Sequence, residues 1–207
     1  MIKFNSLIIF IPIFIFGWSP EVIDGKKVIQ KIESLNMNIF SKGGSKIYSI
    51  ISPNSKYDKV KLEFNLKKTT INIFDGEDIK FVINADSSTL LNNNKLVKLN
   101  GNVELRSLNQ SSDLLYGDKL IWNINESKYE LTGNVRFENR NILLNSNKAI
   151  MSKENIIEFF NPVEYIIKDD NNENKYKINS ENAFYNIDTE SLNFKSEDRR
   201  VRSTVYF

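Results

Sequence analysis

The chain has no cysteine and no histidine, and only four prolines and eight glycines in 207 residues. Without cysteine there are no thiol nucleophiles, no disulfides and no lipoprotein-type processing. Without histidine the commonest general base and metal ligand are gone, and serine–histidine hydrolysis is excluded. An excess of one charge is missing too: 28 basic residues stand against 26 acidic ones, a net +2, with the signs mixed along the chain. A nucleic-acid binder needs a clustered basic surplus to neutralise phosphates, so no nucleic-acid partner is expected. No glycine-rich phosphate loop ending in Gly-Lys-Ser or Gly-Lys-Thr occurs, so any work must be driven by a partner. The length allows one compact domain with a small appendage.

One long hydrophobic run is present. It extends from Leu7 to Trp18 behind Lys3, broken only by Pro12 and Gly17. A helix over residues 4–18 reaches about 22 Å against a hydrocarbon layer of roughly 30 Å, a gap that Val22 and Ile23 can narrow. Cleavage after Ser19 would leave Pro20 first, which a signal peptidase disfavours. The expectation is a retained transmembrane helix over residues 1–23, crossing an inner membrane once. Ser19 and Pro20 then supply a helix cap and first turn, and Val28, Ile32 and Leu35 fall on one helical face. Residues 24–44 are thus expected as a helical stalk, closed by Gly43 and Gly44.

Residues 45–207 read differently. Short alternating segments rich in Ile, Val, Phe, Tyr and Thr follow one another, among them residues 59–66, 69–74, 79–85, 101–107 and 119–125, separated by Asn, Asp, Ser and Gly. The gaps are too short for parallel crossovers, so the sheet is expected to be antiparallel and hairpin-linked.

A self-similar unit recurs here. Asp86 precedes Gly101-Asn102-Val103, and Asp118 precedes Gly133-Asn134-Val135, by about 15 positions each. A weaker copy sets Asn147 before Asn161-Pro162-Val163, and a partial one opens at Glu181-Asn182-Ala183-Phe184-Tyr185. Gly-Asn tolerates positive φ and reads as a turn, making each unit two strands and two turns. Alternation then places Val103 with Leu105, Val135 with Phe137, and Val163 with Tyr165 and Ile167 on one apolar face. Glu104, Arg106, Arg136, Glu138 and Glu164 take the other face. Leu120, Trp122 and Ile124 form a matching set in the partner strand, to which Ala149 and Met151 align. Stacked units make a trough that is either a hydrophobic core or a channel open along one side.

Residues 44–57 (GSKIYSIISPNSKY), 79–86 (IKFVINAD), and the segments LNGNVEL, DLLYGDKLIWN and LTGNVRF together resemble the LptC family of lipopolysaccharide-export proteins and the related OstA-like domain of LptA. The resemblance covers about residues 40–195, and the N-terminal apolar segment favours LptC. It implies an all-β, twisted, open β-jelly roll of antiparallel hairpin repeats, preceded by one transmembrane helix, with residues 45–207 in the periplasm. It implies no enzyme activity and no cofactor. The implied partners are the lipid A acyl chains of lipopolysaccharide, the membrane subunits of an export ABC transporter, and an LptA-like or OstA-like periplasmic protein. Val103, Leu105, Leu120, Trp122, Val135, Phe137, Met151, Val163 and Tyr165 would line the apolar groove. The strand at Lys46, Ile47 and Tyr48 would be an edge facing the transporter, and Val201 and Val205 an edge for the next protein. Asn161-Pro162 in place of Gly-Asn departs from the repeat.

Three other functions compete. Asp86 and Asp118 could pair as an acid and a base, as in glycoside hydrolysis; their equivalent places in successive repeats favour a structural role. Residues 169–174 offer many oxygen ligands but lack the glycine and terminal glutamate of a calcium loop. A structural or carbohydrate-binding β-repeat surface protein, without lipid transport, is the remaining alternative.

Overall fold

A computed structural model of the chain describes residues 20–23, 27–91, 95–108, 113–139, 142–168, 173–197 and 200–206. These form the strands β1 (Pro20–Ile23), β2 (Lys27–Phe40), β3 (Lys46–Asp58), β4 (Glu63–Asp75), β5 (Asp78–Leu91), β6 (Leu96–Ser107), β7 (Leu114–Asn123), β8 (Lys128–Asn139), β9 (Ile142–Met151), β10 (Ile156–Lys168), β11 (Asn174–Asn186), β12 (Ser191–Lys195) and β13 (Arg202–Val205). All 13 belong to one sheet in which each strand from β1 to β11 pairs with the next, while β13 also pairs with β11. Every pairing is antiparallel, as hairpin connections require.

The long strands are interrupted midway, and the interruptions line up across the sheet. Ladder pairing skips Ser34 against Pro53, Lys68 against Asp86, and shifts register at Gly101-Asn102, Asp118, Gly133-Asn134, Asn147 and Asn161-Pro162. Bulged residues bend a strand and increase its local twist. A line of them across the whole sheet creases it into two limbs. β12 and β13 pair with β11 on opposite sides of this crease, so they are the two halves of one broken last strand.

Each limb carries an apolar row on its inner face. In the lower limb, successive paired positions run Tyr57, Phe64, Leu90, Val97, Trp122, Tyr129, Met151, Ile157, Tyr185 and Leu192. In the upper limb they run Met37, Ile50, Ile71, Ile83, Leu105, Leu115, Phe137, Leu144, Tyr165 and Ile178. The rows close on each other with an offset. Tyr48 of β3 meets Trp122 of β7 edge-on at 5.0 Å, Phe137 of β8 meets Tyr185 of β11 at 4.6 Å, and Tyr165 of β10 meets Phe194 of β12 at 5.2 Å. Upper-limb residues therefore cover lower-limb residues of later strands. The lower limb is consequently left less covered at its start, where Tyr57 and Phe64 are only half-buried, and the upper limb at its end, where Ile178 is half-buried and Val205 exposed.

The all-β antiparallel class is as expected, with two corrections. The helical stalk of residues 24–44 is not there: Lys27–Phe40 is strand β2, and Gly43 and Gly44 lie in the β2–β3 turn. Gly-Asn is not a hairpin turn either; Gly101-Asn102 and Gly133-Asn134 lie inside β6 and β8, at the crease. For the transmembrane helix over 1–23, residues 1–19 lie outside the described residues and Pro20–Ile23 is strand. No helix among the described residues is long and apolar enough to cross a membrane. The oxygen-rich segment 169–174 falls largely outside the described residues.

Candidate functional site

The nine residues expected on the inner face all point inward. Val103, Leu105, Leu120, Trp122, Val135, Phe137, Met151 and Val163 are at most 3% exposed and Tyr165 is 8% exposed. They belong to one continuous cluster that includes residues from β2 to β11. The interior is thus filled by the protein's own side chains and is mostly apolar, with Ser52, Thr69, Ser88 and Ser107 among the buried polar exceptions.

The rims where the limbs meet are held otherwise. Among the described residues, no strand of one limb pairs with a strand of the other along this seam. Polar side chains bridge it instead. Lys80 Nζ on β5 donates to Asn155 Oδ1 in the β9–β10 turn at 3.0 Å, and Asn155 Nδ2 donates to the Asp188 carboxylate at 3.0 and 3.1 Å. Farther along, Asn139 Nδ2 donates to the Tyr185 phenol oxygen at 3.0 Å, and that hydroxyl donates to the Asp113 carboxylate at 3.3 Å. Burial, reinforced by the Asp113 charge, pushes the Tyr185 phenol up to about 12. Burial likewise raises Tyr48, Tyr129 and Tyr165. The sequence gives no local signal for these latches, because each is an isolated polar residue whose partner is remote in sequence.

Asp86 and Asp118 are occupied at the crease. Asn102 Nδ2 donates to Asp86 Oδ2 at 2.8 Å and Asn134 Nδ2 to Asp118 Oδ2 at 2.9 Å. Gly101 and Asn102 sit at φ 77° and 45°, Gly133 and Asn134 at 78° and 47°. A Cβ at Gly101 would fall 2.5 Å from Asp86 Oδ2, and one at Gly133 would meet Asp118 Oδ2 as closely. In the partial fourth copy Glu181 Oε2 accepts instead from a backbone amide, Glu197 N, at 2.8 Å just past β12. Asp86 and Asp118 each clasp the bulge of the neighbouring strand.

The outer face beside the crease is polar. Glu104, Tyr116, Arg136, Asn145, Glu164 and Asn179 form one row of paired positions across it. The Arg136 guanidinium lies 4.8 Å over the Tyr116 ring and Glu164 pairs with Lys177. A furrow of about 1110 Å³ follows this line, lined by amides and charged side chains together with Val103, Val135, Pro162 and Val163.

The expected edges stand differently. The strand at Lys46, Ile47 and Tyr48 is no edge: β3 lies between β2 and β4, and Tyr48 is fully buried against Trp122. Among the described residues the N-terminal edge is β1. Val205 ends strand β13 and Val201 directly precedes it; they are 49% and 43% exposed, with Tyr206 next to Val205 at 46%.

The sequence model of the LptC family, described as lipopolysaccharide assembly, LptC-related, matches residues 18–151, from the residues before β1 to the end of β9. Among solved structures the fold is similar to LptH, the LptA-homologous periplasmic component of the lipopolysaccharide transport device of Pseudomonas aeruginosa. The identity is 8% and the TM-score 0.44, over 77% of this chain and 94% of that one. No curated protein matches the chain.

Proposed function

The chain belongs to the LptC family, and from that membership we propose that it carries the lipid part of lipopolysaccharide within an export bridge. It receives the molecule from an inner-membrane ABC transporter and passes it to an LptA-like periplasmic protein. Its N-terminal apolar run holds it in the inner membrane, with the sheet in the periplasm.

The observation that carries this reading is the seam. Two apolar rows face each other along the whole molecule, and their rims meet through side chains rather than backbone ladders. An acyl chain gains about 0.8 kcal/mol per buried methylene, so a dozen carbons require roughly 10 kcal/mol of shielding. A continuous apolar interior supplies that along its length, whereas a local pocket does so at one point. Parting the limbs breaks a few hydrogen bonds, each worth about 1 kcal/mol net, and separates cross-limb contacts such as Tyr48 with Trp122, which the entering chain replaces. Acyl chains enter by this route and displace side-chain contacts as they go.

The offset between limbs supports the end-to-end role. The lower limb is under-covered at the N-terminal end and the upper limb at the C-terminal end. A neighbour built the same way would continue both by strand addition at β1 and at β12–β13. Such pairing would also bury strand edges that otherwise invite aggregation.

Photo-crosslinking in cells tests the reading. A benzoylphenylalanine at position 122, 137 or 165 should give lipopolysaccharide adducts, and one at 104 or 136 none. Adducts to protein alone from the inner positions would reduce the interior to a core. Purified protein preferring lipid-free polysaccharide over lipid A would favour a carbohydrate-binding surface protein instead.

A further inference from the structure

The β3–β4 turn, residues 59–62, is the one described lower-rim turn whose large apolar residues stand free. Val60 is 67% exposed and Leu62 is 53% exposed, with Lys59 and Lys61 exposed beside them. The other described lower-rim turns are polar or tucked in. Residues 124–127 contain Glu126 and pack Ile124 against the core; residues 152–155 are Ser-Lys-Glu-Asn; residues 187–190 bury Ile187 and expose Asp188 and Glu190. Each of those turns carries an acid, and 59–62 carries none. Lys59 and Lys61 make no ion pair among the described residues.

The turn is also held in shape. Asp58 is 6% exposed, and its Oδ1 accepts hydrogen bonds from Val60 N and Lys61 N, both at 3.0 Å. Leu62 stands at φ 55°, a conformation that a bulky side chain rarely adopts. The exposed pair is therefore displayed by a defined backbone.

Its place in the sheet indicates what covers it. β1 begins at Pro20, just after the hydrophobic run, and runs toward the lower rim; Glu21 faces Ile29 of β2, which faces Asp58 of β3. At strand spacings of about 4.8 Å, β3 lies roughly 10 Å from the strand that leads out of the run. The turn that follows Asp58 therefore starts beside the point where the run ends, and a chain anchored through that run keeps it within reach of the lipid surface.

We propose that the β3–β4 turn is a second membrane contact. Val60 and Leu62 enter the interfacial zone of an anionic bilayer, and Lys59 and Lys61 meet its headgroups. The contact fixes the tilt of the sheet on the membrane, which a single flexible tether would leave free. It rests on the reading of residues 1–19 as a retained anchor.

The absence of cysteine makes the test clean. The full chain carrying Val60→Cys, or Lys153→Cys on another lower-rim turn, takes a single nitroxide label. Each is reconstituted into vesicles of phosphatidylcholine alone or with phosphatidylglycerol, and flotation is scored first. In phosphatidylglycerol vesicles the label at 60 should collide preferentially with oxygen over a water-soluble nickel chelate, and the label at 153 should show the reverse. Adding Lys59→Glu and Lys61→Glu should weaken the membrane-bound state of the turn about tenfold or more. A floated chain whose label at 60 behaves like that at 153 overturns the proposal, as does equal shielding of position 60 without vesicles. A chain that does not float removes the anchor itself, and the proposal with it.

Discussion

Asn134 donates from its side chain to Asp118 Oδ2 at 2.9 Å, across the bulge that Gly133 and Asn134 make at φ 78° and 47°. The carboxylate fills the space that any side chain at position 133 would need. Gly133→Ala is therefore expected to destabilise the protein by about 2 kcal/mol or more, from left-handed strain plus displacement of Asp118. Urea denaturation measures it, with Asn134→Gly as the mild control.

The carboxylates at this crease act as hydrogen-bond acceptors for the amides of Asn102 and Asn134. Asp86→Asn together with Asp118→Asn keeps an acceptor oxygen at each place, so a cost of about 1 kcal/mol or less is expected. Lipid A binding should remain at the parental level. A hydrolytic turnover present in the parent and lost in this double variant would contradict the structural assignment.

Across the seam, Tyr185→Phe leaves the buried side chains of Asp113 and Asn139 short of one partner each. A loss of about 1–3 kcal/mol is expected. If lipid enters between the limbs, a short bis-maleimide bridging Lys80→Cys and Asn155→Cys should block uptake of lipid A, while the same variant unbridged retains it.

The Tyr185 phenol, pushed up to about 12, has a pH signature. Its folded value lies above the unfolded one near 10, so the fold favours the protonated form. Its contribution is complete below about pH 10 and is lost as the pH rises through about 12. Stability measured between these limits should fall, and Tyr185→Phe should flatten part of that fall. Tyr48, Tyr129 and Tyr165 shift the same way and account for more of it.

Neighbouring positions on β8 separate inside from outside. Phe137 packs against Phe159 and Tyr185 in the interior, and Phe137→Ala should cost about 3–5 kcal/mol. Arg136 pairs with Glu138 at 3.3 Å on the surface, and Arg136→Ala should cost about 1 kcal/mol or less.

The alternation after residue 45 identified the sheet and its inner face, because polarity alternates wherever one face is buried. Its failures have one cause. At the crease most strands slip phase, so that inward residues stand three apart: Ile32 to Leu35 in β2, Leu66 to Thr69 in β4, Ala85 to Ser88 in β5. In β2 this slip reproduces the spacing of a helical face, which is why Val28, Ile32 and Leu35 read as a stalk. The Gly-Asn pairs read as turns but are bulges inside β6 and β8. A turn and a bulge both ask for positive φ, and only the pairing of the flanking residues distinguishes them. Tyr48 is not at an edge, because the residues before it, expected as helix, form strand β2 and pair with β3. The seam residues had no signature, since hydrogen bonds such as Lys80 to Asn155 depend on how the limbs fold over and not on local pattern.

The alternation of hairpin turns between the two rims has a consequence for how such a molecule can change in length. Adding one strand would transpose every later loop to the opposite side and carry Asn155 away from Lys80. A doublet of strands, about 30 residues, preserves the parity. Longer and shorter versions, natural or engineered, should therefore differ by even numbers of strands.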